Sequence, residues 1–312
     1  MPAWSEIVDR QTGLLSPAQN RALRDTRVLM LGVGGMGMNA AANLVRMGFQ
    51  RFTLIDCDIV DGTTANRTPF AFEDTLGLQK VEATRRYLLA VNPACSVTIH
   101  PDMRFGLESD PIFMERLLAE HDLVSWAMDG MAGRLYFTRI AHRVGSLRAG
   151  GIPAVESWAL PYHHCVQTVP NRADTPSWEA CFGLPSAALP MEVIDAGVVR
   201  DTQLAFFWTL ACTPRLWEDF DPELVERWVG LRMPNRSLGS AVVGCGALIA
   251  SELLANALQV AGLPLPNLAI HEAPWMAIQD LRRQVSYELN YATRRLRWRH
   301  PITLELHEQD AP

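Results

Sequence analysis

Four glycines, Gly32, Gly34, Gly35 and Gly37, stand in the pattern G-x-G-G-x-G, and an acid, Asp56, follows 19 residues after the last of them. Glycines let a backbone turn tightly and approach a phosphate, whose charge meets the N-terminus of the helix that follows. An acid at the tip of the next strand has the spacing expected for holding a ribose. These residues imply nucleotide binding and leave the nucleotide open. The alternative is a glycine turn that only packs a helix on a strand. Lys80 falls in the first turn of a predicted helix, where an ammonium opposes the helix dipole unless an anion is nearby. Asp129 falls just past a predicted strand, where an acid either ligates Mg2+ on a nucleotide or caps a loop. His163 and His164 precede Cys165, but neighbours on a strand point to opposite faces, so both histidines do not readily serve one site.

The elements that must position these residues follow from periodicity. Val28 to Leu31 is an apolar run that reads as a buried parallel strand. Helix formers occupy Asn39 to Met47, and a second strand, Phe52 to Ile55, ends on Asp56. Ahead of them, Ser16-Pro17-Ala18-Gln19 reads as a capping box opening a helix. A loop of about a dozen residues, carrying Thr64, Asn66 and Arg67, delays the next helix more than usual. That helix runs from Lys80 to a stop at Asn92-Pro93. Further strands are predicted at Ser96–His100, Asp122–Ala127, Ile152–Val155 and His164–Val169. Helices are predicted from Pro111 through Leu118 and around Arg134 to Val144. The second half is less regular. It reads as a loop at Ala173–Ala188, an apolar helix at Asp201–Cys212 and helix starts at Thr213-Pro214 and Asp221-Pro222-Glu223. A polar loop at Arg232–Ser240, a long helix at Ala241–Val260 and late strands at Leu268–His271 and Ile302–Leu306 complete it. The whole reads as one continuous α/β domain.

Composition narrows the class. The 312 residues are 48% hydrophobic, enough for a sizeable core without disulfides. A net charge of −6 with no basic stripe argues against general nucleic-acid binding. No two of the six cysteines form a C-x-x-C pair, so no zinc site is evident and a reduced setting fits. The N-terminal residues are acidic where a signal peptide is basic and then apolar. The apolar stretch Ala241 to Leu263 carries Glu252, Asn256 and Gln259, so a core helix is expected there, with no membrane span. The expected location is the cytoplasm.

Taken together, an ordered set resembles the adenylating family that includes MoeB, ThiF and the ubiquitin-activating enzymes. The set is Arg10-Gln11, the glycine turn, Asp56-x-Asp58, Arg67, Gly77-Leu78-Gln79-Lys80, Asn92-Pro93, Met128-Asp129 and Arg134. The resemblance covers most of the chain, from Arg10 to about Val260. It implies a Rossmann-like, mostly parallel sheet with helices on both faces, extended by a mixed C-terminal part. A helical arm (1–26), a nucleotide-binding core (27–160) and a substrate- and dimer-side extension (161–312) would form one adenylation domain. It also implies ATP and Mg2+. Gly32, Gly34, Gly35 and Gly37 would approach the phosphates, Asp56 would hold the ribose beside Asp58, and Arg67 and Lys80 would hold the triphosphate. Asp129 would bind Mg2+, and Arg10 would reach the nucleotide of the other subunit of a homodimer. A carboxylate would attack the α-phosphorus and release pyrophosphate. Its source would be a ubiquitin-like or sulfur-carrier protein, a peptide, a small molecule or a modified tRNA base.

The sequence departs from that family's pattern twice. Many members have S-N-x-x-R in the crossover loop; here Thr63-Thr64-Ala65-Asn66-Arg67 puts Thr64 where the asparagine stands, with Asn66 able to compensate. Many carry two C-x-x-C pairs for zinc. Here only Cys181 remains of the first, so no structural zinc is expected. Cys181 is the candidate nucleophile for any covalent thioester or persulfide step, against the commoner fate of a buried cysteine. Two other functions compete. One is an NAD-dependent oxidoreductase, resting on the glycines and Asp56 alone. The other is a non-catalytic binding module using Trp208, Trp217 and Trp228.

Overall fold

The computed structural model describes residues 3–106, 109–160, 162–211, 223, 238–266, 268–281, 285–299 and 305–310; elements are numbered over these. An N-terminal arm holds α1 (Trp4–Ile7), a single 3-10 turn (Asp9–Gln11) and α2 (Pro17–Asp25). The expected capping box opens α2: Gln19 N–H donates to Ser16 Oγ (3.2 Å) and Ser16 N–H to Gln19 Oε1 (2.8 Å). The first half then alternates β1 (Arg27–Leu31), α3 (Gly35–Arg46), β2 (Arg51–Ile55), α4 (Lys80–Val91) and β3 (Ser96–His100). It continues with α5 (Pro111–Glu120), β4 (Leu123–Trp126), α6 (Met131–Gly145) and β5 (Ala154–Leu160). The second half holds β6 (His163–Val169), α7 (Trp178–Cys181), α8 (Ala196–Ala211) and α9 (Gly239–Val260). Its last strands are β7 (Trp275–Asp280), β8 (Val285–Asn290), β9 (Arg295–Arg299) and β10 (Leu306–Asp310).

All ten strands join one sheet in the order β10-β9-β8-β7-β6-β5-β4-β1-β2-β3. From β3 to β5 every pairing is parallel, and from β5 to β10 every pairing is antiparallel. This is an α/β fold with a parallel core and a mixed C-terminal extension. Period-two alternation splits β1 between two apolar layers. Leu29 and Leu31 join Trp126, Phe137 and Trp158 on one face, with Phe206 of α8. Val28 and Met30 join Leu44, Leu54 and Leu253 on the other. Helices therefore cover both faces. Among them α9 is long and apolar enough to cross a membrane. Here its apolar surface is spent on the sheet and on α3, where Gly246 lets it lie against Asn39 and Ala40.

Several expectations are corrected. Leu268–His271 is not a strand; Glu272 makes a single bridge to Thr168, whose N–H donates to His271 O (2.8 Å). Its short apolar run lacked the alternation that a half-buried strand needs. The segment 173–188 is not all loop, because Ser177 caps α7 and Pro185–Ala188 forms a 3-10 turn. The apolar helix begins at Ala196, five residues before its expected start, with Asp195 Oδ1 accepting from Val198 N–H (2.9 Å). The long helix begins at Gly239, inside the expected polar loop. The expected helix start at Thr213-Pro214, residues 221 and 222 of the next, and 232–237 lie outside the described residues. So do 302–304 of the last expected strand, and β10 begins at Leu306.

Candidate active site

In the parallel half the chain leaves β1 toward β2 on one side and reaches β4 on the other. Ligands of open α/β sheets bind at the strand carboxyl ends at such a switch point. The two strand tips are tied there: Gly32 N–H donates to Ile55 O (2.9 Å) and Ala127 N–H to Leu31 O (2.8 Å). Gly32 has φ +87°, and a Cβ on it would stand 2.5 Å from Ala127 O, so this position needs glycine on both counts. A Cβ on Gly37 would collide with the Gly32 carbonyl, which fixes how closely α3 starts behind the turn. Gly34 is the N-cap of α3 and has no side-chain cap to offer, leaving first-turn N–H groups for a ligand. Nothing lies within 4 Å of a Cβ built on Gly34, so that side is open. Gly35 is covered by Val242 of α9 and by the Arg67 side chain.

Asp56 is aimed by the backbone. Its Oδ2 accepts from Val33 N–H (2.8 Å) and its Oδ1 from Asp58 N–H (2.9 Å). Burial pushes its pKa up against those bonds and against Lys80. Lys80 opens α4, and its Nζ donates to Asp58 Oδ2 (2.8 Å). The anion that a first-turn lysine calls for is therefore supplied by the protein itself.

The loop between β2 and α4 closes on itself through Val60 N–H to Leu78 O (2.8 Å) and Lys80 N–H to Asp58 O (2.9 Å). Within it Arg67 Nη1 donates to Thr63 O (2.7 Å) and Asn66 Oδ1 (2.9 Å). Those partners are neutral, and among the described residues no carboxylate pairs with the arginine. Thr64 is buried, and its hydroxyl donates to Asp61 Oδ1 (2.8 Å). It thus braces the loop in this structure, and Asn66 is the polar side chain that touches Arg67.

Asp129 is exposed, three residues beyond β4 and just before the Gly130 N-cap of α6. Arg10 is also exposed, but its arm docks at the far end of α3. There Trp4 Nε1 donates to Gly48 O (2.9 Å), and Val8 lies against Gly48. Twelve helical residues separate that end from the glycine turn, a rise of roughly 18 Å. The structure thus gathers the glycines, Asp56, Asp58 and Lys80 at the strand tips, with Asp129 past β4 and Arg67 against Gly35. It leaves Arg10 at the other end of α3.

Arg134 and Cys181 sit inward. The Arg134 guanidinium pairs with Glu156 Oε1 and lies over the Trp126 ring (5.2 Å to its centroid), and both charged groups are buried. Glu156 also accepts from Trp178 Nε1 (2.6 Å) and Gln167 Nε2 (3.0 Å), while burial pushes its carboxyl up to about 7. Nothing in the sequence pattern marked Glu156. Cys181, one turn from Trp178, is 5% exposed, and burial pushes its thiol up to about 11. A thiol so placed is not a ready nucleophile. His163 faces Asp280 (3.5 Å), while His164 lies against Gly244 of α9, so the two histidines diverge as expected.

The sequence profile of the ThiF family matches residues 8–288. The chain belongs to the ThiF family. A segment of this ThiF-family chain is 35% identical over 113 residues to the molybdopterin-synthase adenylyltransferase of Escherichia coli (strain K12), covering 36% of this chain and 43% of that protein. Another is 34% identical over 100 residues to the tRNA threonylcarbamoyladenosine dehydratase of the same organism, covering 32% and 37%. The chain thus matches less than half the length of these relatives. Among solved structures it is similar to E. coli MccB bound to MccA-N7isoASN (TM-score 0.63, 15% identity, 97% of this chain and 75% of that one). It is also similar to PaaA (TM-score 0.61, 17% identity, 92% and 73%). At those identities the likeness concerns the ThiF-type fold alone.

Proposed function

We propose that this chain is a single adenylation domain that binds ATP with Mg2+ at the β1–β4 switch point and adenylates a carboxylate. One observation carries this: Arg67 lies against Gly35 at an uncapped helix N-terminus, and Lys80 is paired with Asp58, next to the backbone-aimed Asp56. Arg67 and Lys80 have no counterpart in a simple dinucleotide fingerprint. A carboxylate oxygen attacks the α-phosphorus, the bond to the β-phosphate breaks, and pyrophosphate leaves with that electron pair. Two anions must meet, so cations aimed at the phosphates are what the reaction needs, and no side-chain nucleophile takes part in this step. Asp56 holds the ribose, the first turn of α3 meets the phosphates, and Arg67 and Lys80 offset their charge. Among the described residues no group of three or more His, Cys, Asp or Glu gathers as a metal cage. Mg2+ on a nucleotide needs none, since one or two carboxylates complete a shell of phosphate and water oxygens. The exposed Asp129 fits that role, and Mg2+ there would supply charge neutralisation.

The unit is a homodimer in which Arg10 completes the partner's site, since its arm docks away from its own. A two-fold axis makes that loan reciprocal. The carboxylate belongs to a protein or peptide. Relatives with printed roles include a SUMO-activating enzyme subunit of Dictyostelium discoideum and MccB with MccA. ATP with Mg2+ is expected to raise the melting temperature and NAD to leave it unchanged. A shift with NAD and none with ATP would replace adenylation by the oxidoreductase alternative, and no shift with either would favour a binding module. For that last alternative, Trp217 and Trp228 lie outside the described residues.

A further inference from the structure

Lys80 can hold a phosphate only after it gives up Asp58. The Lys80 side chain is largely enclosed (14% exposed), whereas that of Asp58 is 57% exposed, so the partner free to leave is the aspartate. Its backbone is fixed on both sides: Asp58 N–H donates to Asp56 Oδ1, and Asp58 O accepts from Lys80 N–H. Departure therefore needs only a side-chain rotation. Lys80 also stands at the positive end of α4, where an ammonium without an anion is unfavourable. An incoming phosphate replaces the carboxylate in a place that already demands negative charge. Water can compensate a displaced Asp58, and a second cation close by would favour its new position while phosphates occupy Lys80. Cys57 Sγ donates to Asp58 Oδ1 (3.9 Å), and Arg104, exposed beyond β3, is a cation whose charge acts on both Cys57 and Asp58.

We propose that Asp58 is a latch: it holds Lys80 while the site is free of nucleotide, competes with phosphate for it, and swings to Arg104 when nucleotide enters. The proposal deepens, and rests on, the ATP assignment above. Asp58 is a positioning residue here, acting through Lys80. Half-exposed pairs are weak, so the latch tunes affinity by roughly two- to fivefold and does not close the site.

Two measurements decide it. In the first, a non-hydrolysable ATP analogue with Mg2+ is titrated calorimetrically into wild type, Asp58→Asn, Arg104→Gln and the double variant. Asp58→Asn is expected to tighten binding by roughly two- to fivefold, and Arg104→Gln to weaken it by a similar factor. In the Asp58→Asn background Arg104→Gln then has no further effect. In the second, acetylation of Lys80 by acetic anhydride is followed by mass spectrometry without nucleotide. It is expected to be faster in Asp58→Asn by a similar factor. Weaker binding in Asp58→Asn, the sign for a residue that merely props Lys80, overturns the latch, as does unchanged Lys80 reactivity. An Arg104→Gln effect that persists in the double variant overturns the role of Arg104. Wild type that fails to bind the analogue while Lys80 reactivity rises in Asp58→Asn overturns the ATP assignment and upholds the hold on Lys80.

Discussion

Two ion pairs of the same chemistry sit in opposite surroundings. Lys80–Asp58 lies at the strand tips, with the Asp58 side chain 57% exposed. Arg134–Glu156 lies between β5 and α6, with side chains 6% and 0% exposed. At the strand tips the cation can exchange partners, because water compensates whichever group is released. In the interior both side chains are shut off from solvent, and Glu156 is further claimed by Trp178 and Gln167. The interior pair therefore fixes the seat of α7, while the edge pair remains usable by a ligand. A motif that contains both a lysine and an arginine does not say which is which. Burial decides it.

Breaking the interior pair should have the largest effect. Arg134→Met leaves a carboxylate buried with neutral donors only, and urea unfolding is expected to show a loss of about 3–5 kcal/mol. Removing both charges with Arg134→Met and Glu156→Leu should recover most of it. A loss below about 1 kcal/mol in the single variant would erase the contrast, because that is the scale of an exposed pair.

At the edge the expectation reverses. Lys80→Ala and Asp129→Ala should leave urea unfolding within about 0.5 kcal/mol of wild type. Each should slow pyrophosphate exchange with the true carboxylate substrate by roughly a hundredfold. Near-normal exchange in Asp129→Ala would remove it as the Mg2+ ligand. Arg10 sharpens the same division between site and scaffold. Arg10→Ala and Asp129→Ala are each expected to be inactive as homodimers, and mixed reassembly to restore about a quarter of wild-type activity, since about half the dimers then hold one intact site. No recovery after confirmed subunit exchange would place Arg10 in its own subunit's site.

Smaller effects come from groups outside both pairs. Burial alone would lower the pKa of His271, but the Glu252 carboxylate at 2.9 Å overcomes this and raises it. A raised histidine pKa stabilises the fold fully below the unfolded value near 6.5 and loses that contribution as pH climbs through the folded value. The melting temperature of wild type should therefore exceed that of His271→Gln by roughly one or two degrees at about pH 6, with the gap closing toward alkaline pH. A gap that widens with pH would contradict the pairing. Cys181→Ser should have no effect on adenylate formation, and loss of that first step in the folded variant would move covalent chemistry earlier.

The parallel half was legible because its signals are local. Buried strands read as apolar runs, Ser16 and Gln19 are a capping box, and the first-turn position of Lys80 called for the anion that Asp58 supplies. The antiparallel half was less so. β7 to β9 were missed, although Arg295, Arg297 and Arg299 alternate with Leu296 and Trp298: β7–β8 and β8–β9 are local hairpins, and only the β6–β7 pairing, with His163 opposite Asp280, joins them to a strand far along the chain. The apolar run at Leu268 to His271 misled in the other direction. Its backbone serves Glu252 and Thr168, with His271 N–H donating to Glu252 Oε1 (2.7 Å), so composition stood in for pairing. In the site, Arg134 was grouped with Lys80 by pattern, and only burial separates them. Glu156 and Arg104 carry no motif at all.

The most direct measurement is a crystal structure with a non-hydrolysable ATP analogue and Mg2+. The expected result places the ribose hydroxyls on Asp56 and the phosphates at the first turn of α3, with Lys80 released from Asp58 onto a phosphate oxygen and Arg134 still on Glu156. A nucleotide bound elsewhere, or bound at the glycine turn with Lys80 still on Asp58, would contradict the division between an exchangeable edge and a fixed interior.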